Sequence, residues 1–139
     1  MSVRVYVPTT LTALAGFVAN GGVGPTPIQA RAVTEWLRES WPEAAEDEWE
    51  YAALTAAADD SVALMGDDDP PRRVVLAADV ESVVESDDSS LVEIDSAFPM
   101  TLVQAVHADT GDIERTPYDP DDWGDLAWYG VQEIPDLLP

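Results

Sequence analysis

Four aspartates, Asp119, Asp121, Asp122 and Asp125, fall within seven positions of the stretch YDPDDWGDLAWYGVQEI (118–134). Carboxylates are hard oxygen donors, so the chemistry to test first is a calcium or magnesium site. A twelve-residue calcium loop started at Asp119 places Asp121 at its third position and Gly124 at its sixth. Trp123 then stands at the fifth position, and Gly130 takes the twelfth, where a bidentate glutamate is required. The loop fails. An irregular two-carboxylate site, an imitation of a phosphate backbone or a solvated turn are the readings left, and the turn is the default. Asp67, Asp68 and Asp69 have no special spacing and are read in the same way.

Other chemistries lack their parts. The chain has no cysteine, all six basic residues are arginines, and His107 is the single imidazole. Nucleophilic catalysis therefore has neither thiol nor amine, and no Gly-x-Ser-x-Gly elbow is present. His107 reads as a sheet-surface or edge histidine. The Gly-x-Gly of GGVGPTP (21–27) follows a helical pattern and runs into prolines, so it cannot open a helix onto a phosphate. Paired carboxylates of the glycosidase kind need a cleft that a sequence does not display. The reading is of a protein with no catalytic residue, no cofactor and no metal.

The elements that would carry these residues are partly legible. VRVYV (3–7) alternates as a strand and Pro8 stops it. Thr9 or Thr10 can cap a helix with Leu11, Leu14, Ala15 and Val18 on one face, ended by the NGG at 20–22. IQARAV (28–33) is a candidate short strand, and Thr34 can cap a helical turn over EWLRE. SWPE (40–43) matches a Ser-x-x-Glu capping box, which predicts a long helix to about Met65 with Trp49, Ala52, Ala53, Ala56 and Ala63 on its packing face. VVLAA (74–78) is a continuous apolar run and belongs at the centre of a sheet. ESDDSS (85–90) reads as loop, LVEID (91–95) as a strand, PMTLVQA (99–105) as a short helix or turn, and VHAD (106–109) as a last strand. A polar loop over 110–122 leads to a helix at 123–138, ended by Pro135 and burying Trp128.

Charge is the unusual property: 28 acidic against 6 basic residues give a net −22. Residues 1–34 contain no acid, so they are either buried or an uncharged contact surface, and the remainder is wrapped in carboxylates. This opposes direct nucleic-acid binding, whose affinity comes from basic groups on phosphates. It leaves mimicry open. Spread over a globule of about 7,000 Å², the charge amounts to one per about 320 Å², about a third of the density of duplex DNA. No apolar run approaches the roughly 18 residues of a membrane span. The N-terminus has no signal-peptide layout, and the absence of cysteine fits a soluble cytoplasmic protein.

Five segments, VRVYVPTTLTAL, EYAALTAAADDSVAL, RRVVLAADV, AVHADT and LAWYGVQEI, occur in an order that resembles a family of acidic actinobacterial proteins known as a domain of unknown function. The resemblance spans nearly the whole chain and brings no catalytic residue or ligand. It implies a free-standing cytoplasmic protein of a GC-rich bacterium, with LAWYGVQE as a family segment and the aspartates before it as variable loop.

Together these readings give one globular domain over 1–139, of α/β class with α+β also open. A single mixed sheet of four to five short strands is covered by helices. The functional expectation is a non-catalytic binding or regulatory protein that engages a basic protein partner, without direct nucleic acid or membrane. The alternatives are a nucleic-acid-mimicking inhibitor and a carboxylate-based metal enzyme. The candidate partner surface is Asp119, Asp121, Asp122 and Asp125, with Trp36 and Trp41 at a helix junction as apolar anchors.

Overall fold

The structure, a computed structural model, describes residues 2–115 and 123–138. Val5 and Val7 of β1 (Val3–Thr9) face one side, and Arg4 and Tyr6 face the other, as the alternation dictates. Thr10 caps α1 (Leu11–Asn20) by accepting from the Ala13 N–H at 3.1 Å, and Gly21 ends it at φ 76°, a left-handed position suited to glycine. Leu11 and Leu14 are buried, whereas Val18, expected in the core, is exposed. Val3, on the same face of β1 as Val5 and Val7, is half-buried against the core.

The short β2 (Gly22–Val23) and β3 (Ile28–Arg31) precede α2 (Glu35–Ser40), whose cap Thr34 accepts from the Leu37 N–H at 3.2 Å. Helix α3 (Glu46–Leu64) starts later than the Ser40–Glu43 pattern predicts, because Ser40 is the last residue of α2. Ala45 is the N-cap instead. Only one half of a capping box forms there, since alanine has no side-chain acceptor: Glu48 accepts from the Ala45 N–H at 3.1 Å. The packing face is also rotated by about one residue from the expected one. Ala53, Ala57, Ala58 and Ser61 are buried, and Ala56 is only half-buried.

The remaining strands are β4 (Val74–Val80), β5 (Val84–Glu85), β6 (Leu91–Ile94), β7 (Phe98–Pro99), β8 (Val103–Ala108) and β9 (Ala127–Gly130), with α4 (Ile134–Leu137) at the C-terminus. Seven strands form one open sheet in the order β5-β6-β3-β1-β4-β8-β9, and β2 pairs with β7 in a second, two-stranded sheet. The expected mixture of helices and sheet is present. The sheet, however, is larger than the four to five strands expected, and every pair in it is antiparallel rather than mixed.

The apolar run of β4 is buried on both faces. Val74, Leu76, Ala78 and Val80 join the larger core with Val5, Val7, Leu14, Ile94 and Val106, covered by α1 and α4. Val75 and Ala77 join Tyr6, Ala53, Ala57, Ala58 and Ala105 under α3. A register shift opposite Ala77 and Ala78 lets Val103 and Val106 of β8 both face the larger core, as a β-bulge allows. Ser61, fully buried, ties α3 to the sheet: its Oγ donates to the Thr9 carbonyl at 2.7 Å and accepts from the Val74 N–H at 3.0 Å. The acid-free first quarter supplies β1, fourth of the seven strands, to the core, but it also leaves the end of α1 and residues 25–27 exposed.

Residues 123–138 overturn one expectation. They form β9, a 3-10 turn (Val131–Glu133) and α4, not one helix. Pro135 sits in the first turn of α4, where its missing N–H leaves no bond unmade, so it starts a helix rather than ending one. Aromatic Trp128 and Tyr129 suit a strand, and β9 pairs with β8 (Trp128 with His107, Gly130 with Ala105). Trp128 is 61% exposed at the sheet margin, not buried.

Candidate functional site

Of the four aspartates singled out by spacing, Asp119, Asp121 and Asp122 lie outside the described residues. Asp125 is exposed, and its Oδ1 accepts from the Tyr51 hydroxyl of α3 at 2.7 Å. That hydrogen bond, then slight burial, raises the Tyr51 pKa above its ordinary value, because the carboxylate holds the phenolic proton. Around this contact lies a groove of about 380 Å³ between α3 and residues 124–126, lined by Tyr51, Leu54, Thr55, Asp59, Asp125 and Leu126 with Arg73 at its base.

The groove wall is positioned by a pair that spacing did not reveal. Arg73, beside β4, and Asp109, just after β8, are 6% and 5% exposed at their side chains. Asp109 accepts from Arg73 Nε at 2.9 Å, from Nη2 at 2.7 Å and from the Arg73 backbone N–H at 2.8 Å. Nη2 also donates to the Gly124 carbonyl at 2.9 Å, and the guanidinium lies 5.3 Å from the Trp123 ring centre. This clamp pins residues 123–124 against the sheet and so sets where Asp125 stands. The sequence carried no sign of it, since Arg73 is one of an arginine pair and Asp109 one acid among 28.

Trp36 and Trp41 occupy a different place. Each is 37% exposed. The Trp41 carbonyl accepts from Trp49 Nε1 at 3.0 Å, and Arg38 lies 4.7 Å from the Trp49 ring centre while bonding Glu46 at 2.8 and 3.0 Å. Trp49 and Tyr51 are two residues apart on α3, a rotation of about 200°. The tryptophan corner and the Asp125 groove therefore flank α3 on different sides.

Five of the six arginines are paired with the chain's own carboxylates. Arg4 pairs with Asp79 (2.6 Å), Arg31 with Asp60 (2.7 Å), Arg38 with Glu46 (2.8 Å), Arg72 with Asp112 (2.9 Å) and Arg73 with Asp109 (2.7 Å). Arg115 donates to the Met65 carbonyl at 3.4 Å. The hydrogen bond to Asp79 is the main cause that raises the Arg4 pKa. The net −22 is therefore carried by carboxylates over an accessible surface of 7619 Å². Asp59 is exposed, and its carboxylate makes no hydrogen bond or ion pair with any described residue.

Among the described residues no three acids or histidines gather as metal ligands. Asp69 has a local structural role: it accepts from the Gly66 N–H at 2.6 Å, which holds its carboxyl below the usual range. Tyr6, whose hydroxyl donates to Glu50 at 3.3 Å, is pushed up to about 12 by burial and then by the Glu50 charge.

His107 lies on the sheet beside Trp128, as a sheet-surface histidine should, and burial, with a lesser contribution from Arg4, lowers its pKa. The unfolded chain therefore takes up the proton first, so the stabilising contribution is present above the ordinary histidine pKa and is lost as pH falls through the lower folded value. Between about pH 7.5 and about pH 5.5, the wild type is expected to lose more stability, or gain less, than His107→Gln. Changes in carboxylate repulsion are common to both proteins and cancel in the comparison. Parallel urea midpoints for the two proteins across that range would contradict it.

The outer edge of β9 is partly capped. The Gly130 N–H goes to Glu133 Oε1 at 3.3 Å and so points away from β8, and by strand alternation the Trp128 N–H and C=O point the same way. Among the described residues no strand pairs beyond β9. No described helix is long and apolar enough to cross a membrane.

No curated protein and no solved structure matches the chain. One family does, over residues 3–138, which includes both sheets, the Arg73–Asp109 clamp and the groove beside α3. The chain belongs to the family of unknown function DUF6912.

Proposed function

We propose that the protein is a non-catalytic binding or regulatory protein of the cytoplasm that engages a basic protein partner through its carboxylate surface. One observation carries the reading: all six arginines are bonded to the chain's own carboxylates or carbonyls. Among the described residues most of the acids left over, Asp59 and Asp125 among them, are exposed. Folding pairs five of the six positive charges with carboxylates, and such a surface attracts a basic partner by long-range steering.

The test is affinity capture from the native host, followed by measurement with the purified partner. Replacing Asp119, Asp121, Asp122 and Asp125 by asparagine is expected to weaken binding by about tenfold or more while the melting curve stays in place. Undiminished affinity would remove these aspartates from the working surface. Competition by duplex DNA or RNA for the same partner would identify the nucleic-acid-mimicking form of this function. A partner indifferent to nucleic acid would identify an adaptor.

A further inference from the structure

Two of the chain's own arginines are held in the same manner, each against an aromatic ring and a carboxylate. Arg38 lies 4.7 Å from the Trp49 ring centre and bonds Glu46, and Arg73 lies 5.3 Å from that of Trp123 and bonds Asp109. The groove beside α3 presents the same two components in Tyr51 and Asp125, with Asp59 as a second carboxylate. Tyr51 is 55% exposed, so its ring face is accessible. Arg73 at the base brings no excess positive charge, because Asp109 neutralises it, and the groove lining is left with the two unbalanced acids.

We infer that this groove seats an arginine side chain of the basic partner, the guanidinium lying on Tyr51 and donating to Asp125, while Asp59, two turns along α3, adds negative charge to the groove. Arginine is favoured over lysine because a planar guanidinium can stack on a ring and fork to carboxylates together, whereas an ammonium acts as a hydrated point charge. Trp128 offers a second exposed ring on the α3 side of the sheet, three residues beyond Asp125. The assignment rests on the acidic-surface reading and gives it a location.

The experiment uses the full chain and two blocked, dye-labelled peptides, hexa-arginine and hexa-lysine, titrated at low salt by fluorescence anisotropy. Hexa-arginine is expected to bind more tightly than hexa-lysine. Asp59→Asn/Asp125→Asn should weaken hexa-arginine by about tenfold, whereas Asp67→Asn/Asp68→Asn, with the same change of charge, should shift it by less than about threefold. Tyr51→Leu, which leaves the charge alone, should bring the two peptides to similar affinity. Equal effects of the two double substitutions, or arginine preference surviving Tyr51→Leu, would overturn the groove while the acidic surface stands. Failure of both peptides to bind would overturn the acidic surface and the groove with it.

Discussion

Asp109→Ala is expected to destabilise the protein by about 3–5 kcal/mol, the range for removing one partner of a buried ion pair. The reason is the group left behind. Arg73 stays nearly enclosed, and two of its guanidinium bonds and its backbone N–H lose their acceptor together. The carbonyls of Trp123 and Gly124, at 3.4 and 2.9 Å, carry no full charge to balance it. Arg73→Met/Asp109→Leu removes both charges and leaves only neutral backbone groups without these partners, the Arg73 N–H and the Trp123 and Gly124 carbonyls, so it is expected to cost less than Asp109→Ala alone. Urea unfolding of the three proteins measures the order. A double variant less stable than Asp109→Ala would mean that the pair contributes net attraction and not only mutual compensation.

Leu76→Ala is expected to cost about 2–5 kcal/mol, as truncation of a large enclosed side chain does. Leu76 has no accessible surface, and it lies between Val7 of β1 and Val106 of β8 in the middle of the larger core. All three strands are held by sheet pairing on both sides, so collapse around the missing methyl groups is limited and a cavity persists. A denaturation midpoint unchanged by the substitution would contradict the placement of Leu76 at the centre of the core.

Position within the sheet was legible where one physical signal dominated. VVLAA reads as central because apolar residues on both parities need cover on both faces, and β4 has it. Thr10, Thr34 and Gly21 cap as their chemistry dictates. The two-residue strands β2, β5 and β7 are too short to show a period, so β5 and the separate β2–β7 pair leave no signal, while β9 is hidden by its helix-like spacing.

The C-terminal error came from reading aromatic and apolar spacing in LAWYGVQEI as a helical face. Cross-strand pairing with β8 decides that segment, and pairing partners are not local information. The groove was half legible for the same reason. Asp125 stood out by spacing, but Tyr51 meets it across 74 positions and Arg73 meets Asp109 across 36. Trp41 stands between α2 and α3 and Trp36 in the first turn of α2, and Trp41 lies on a different flank of α3 from Asp125, a separation that only the rotation between Trp49 and Tyr51 exposes.

The most direct test of the acidic working surface is the affinity of the captured partner at two salt concentrations, about 50 mM and about 500 mM, where the screening length falls severalfold. Binding through exposed carboxylates is expected to weaken by about tenfold or more over that interval, chiefly through slower association. An affinity that does not change with salt would contradict the acidic surface and transfer the working role to the exposed apolar rings of Trp36 and Trp41.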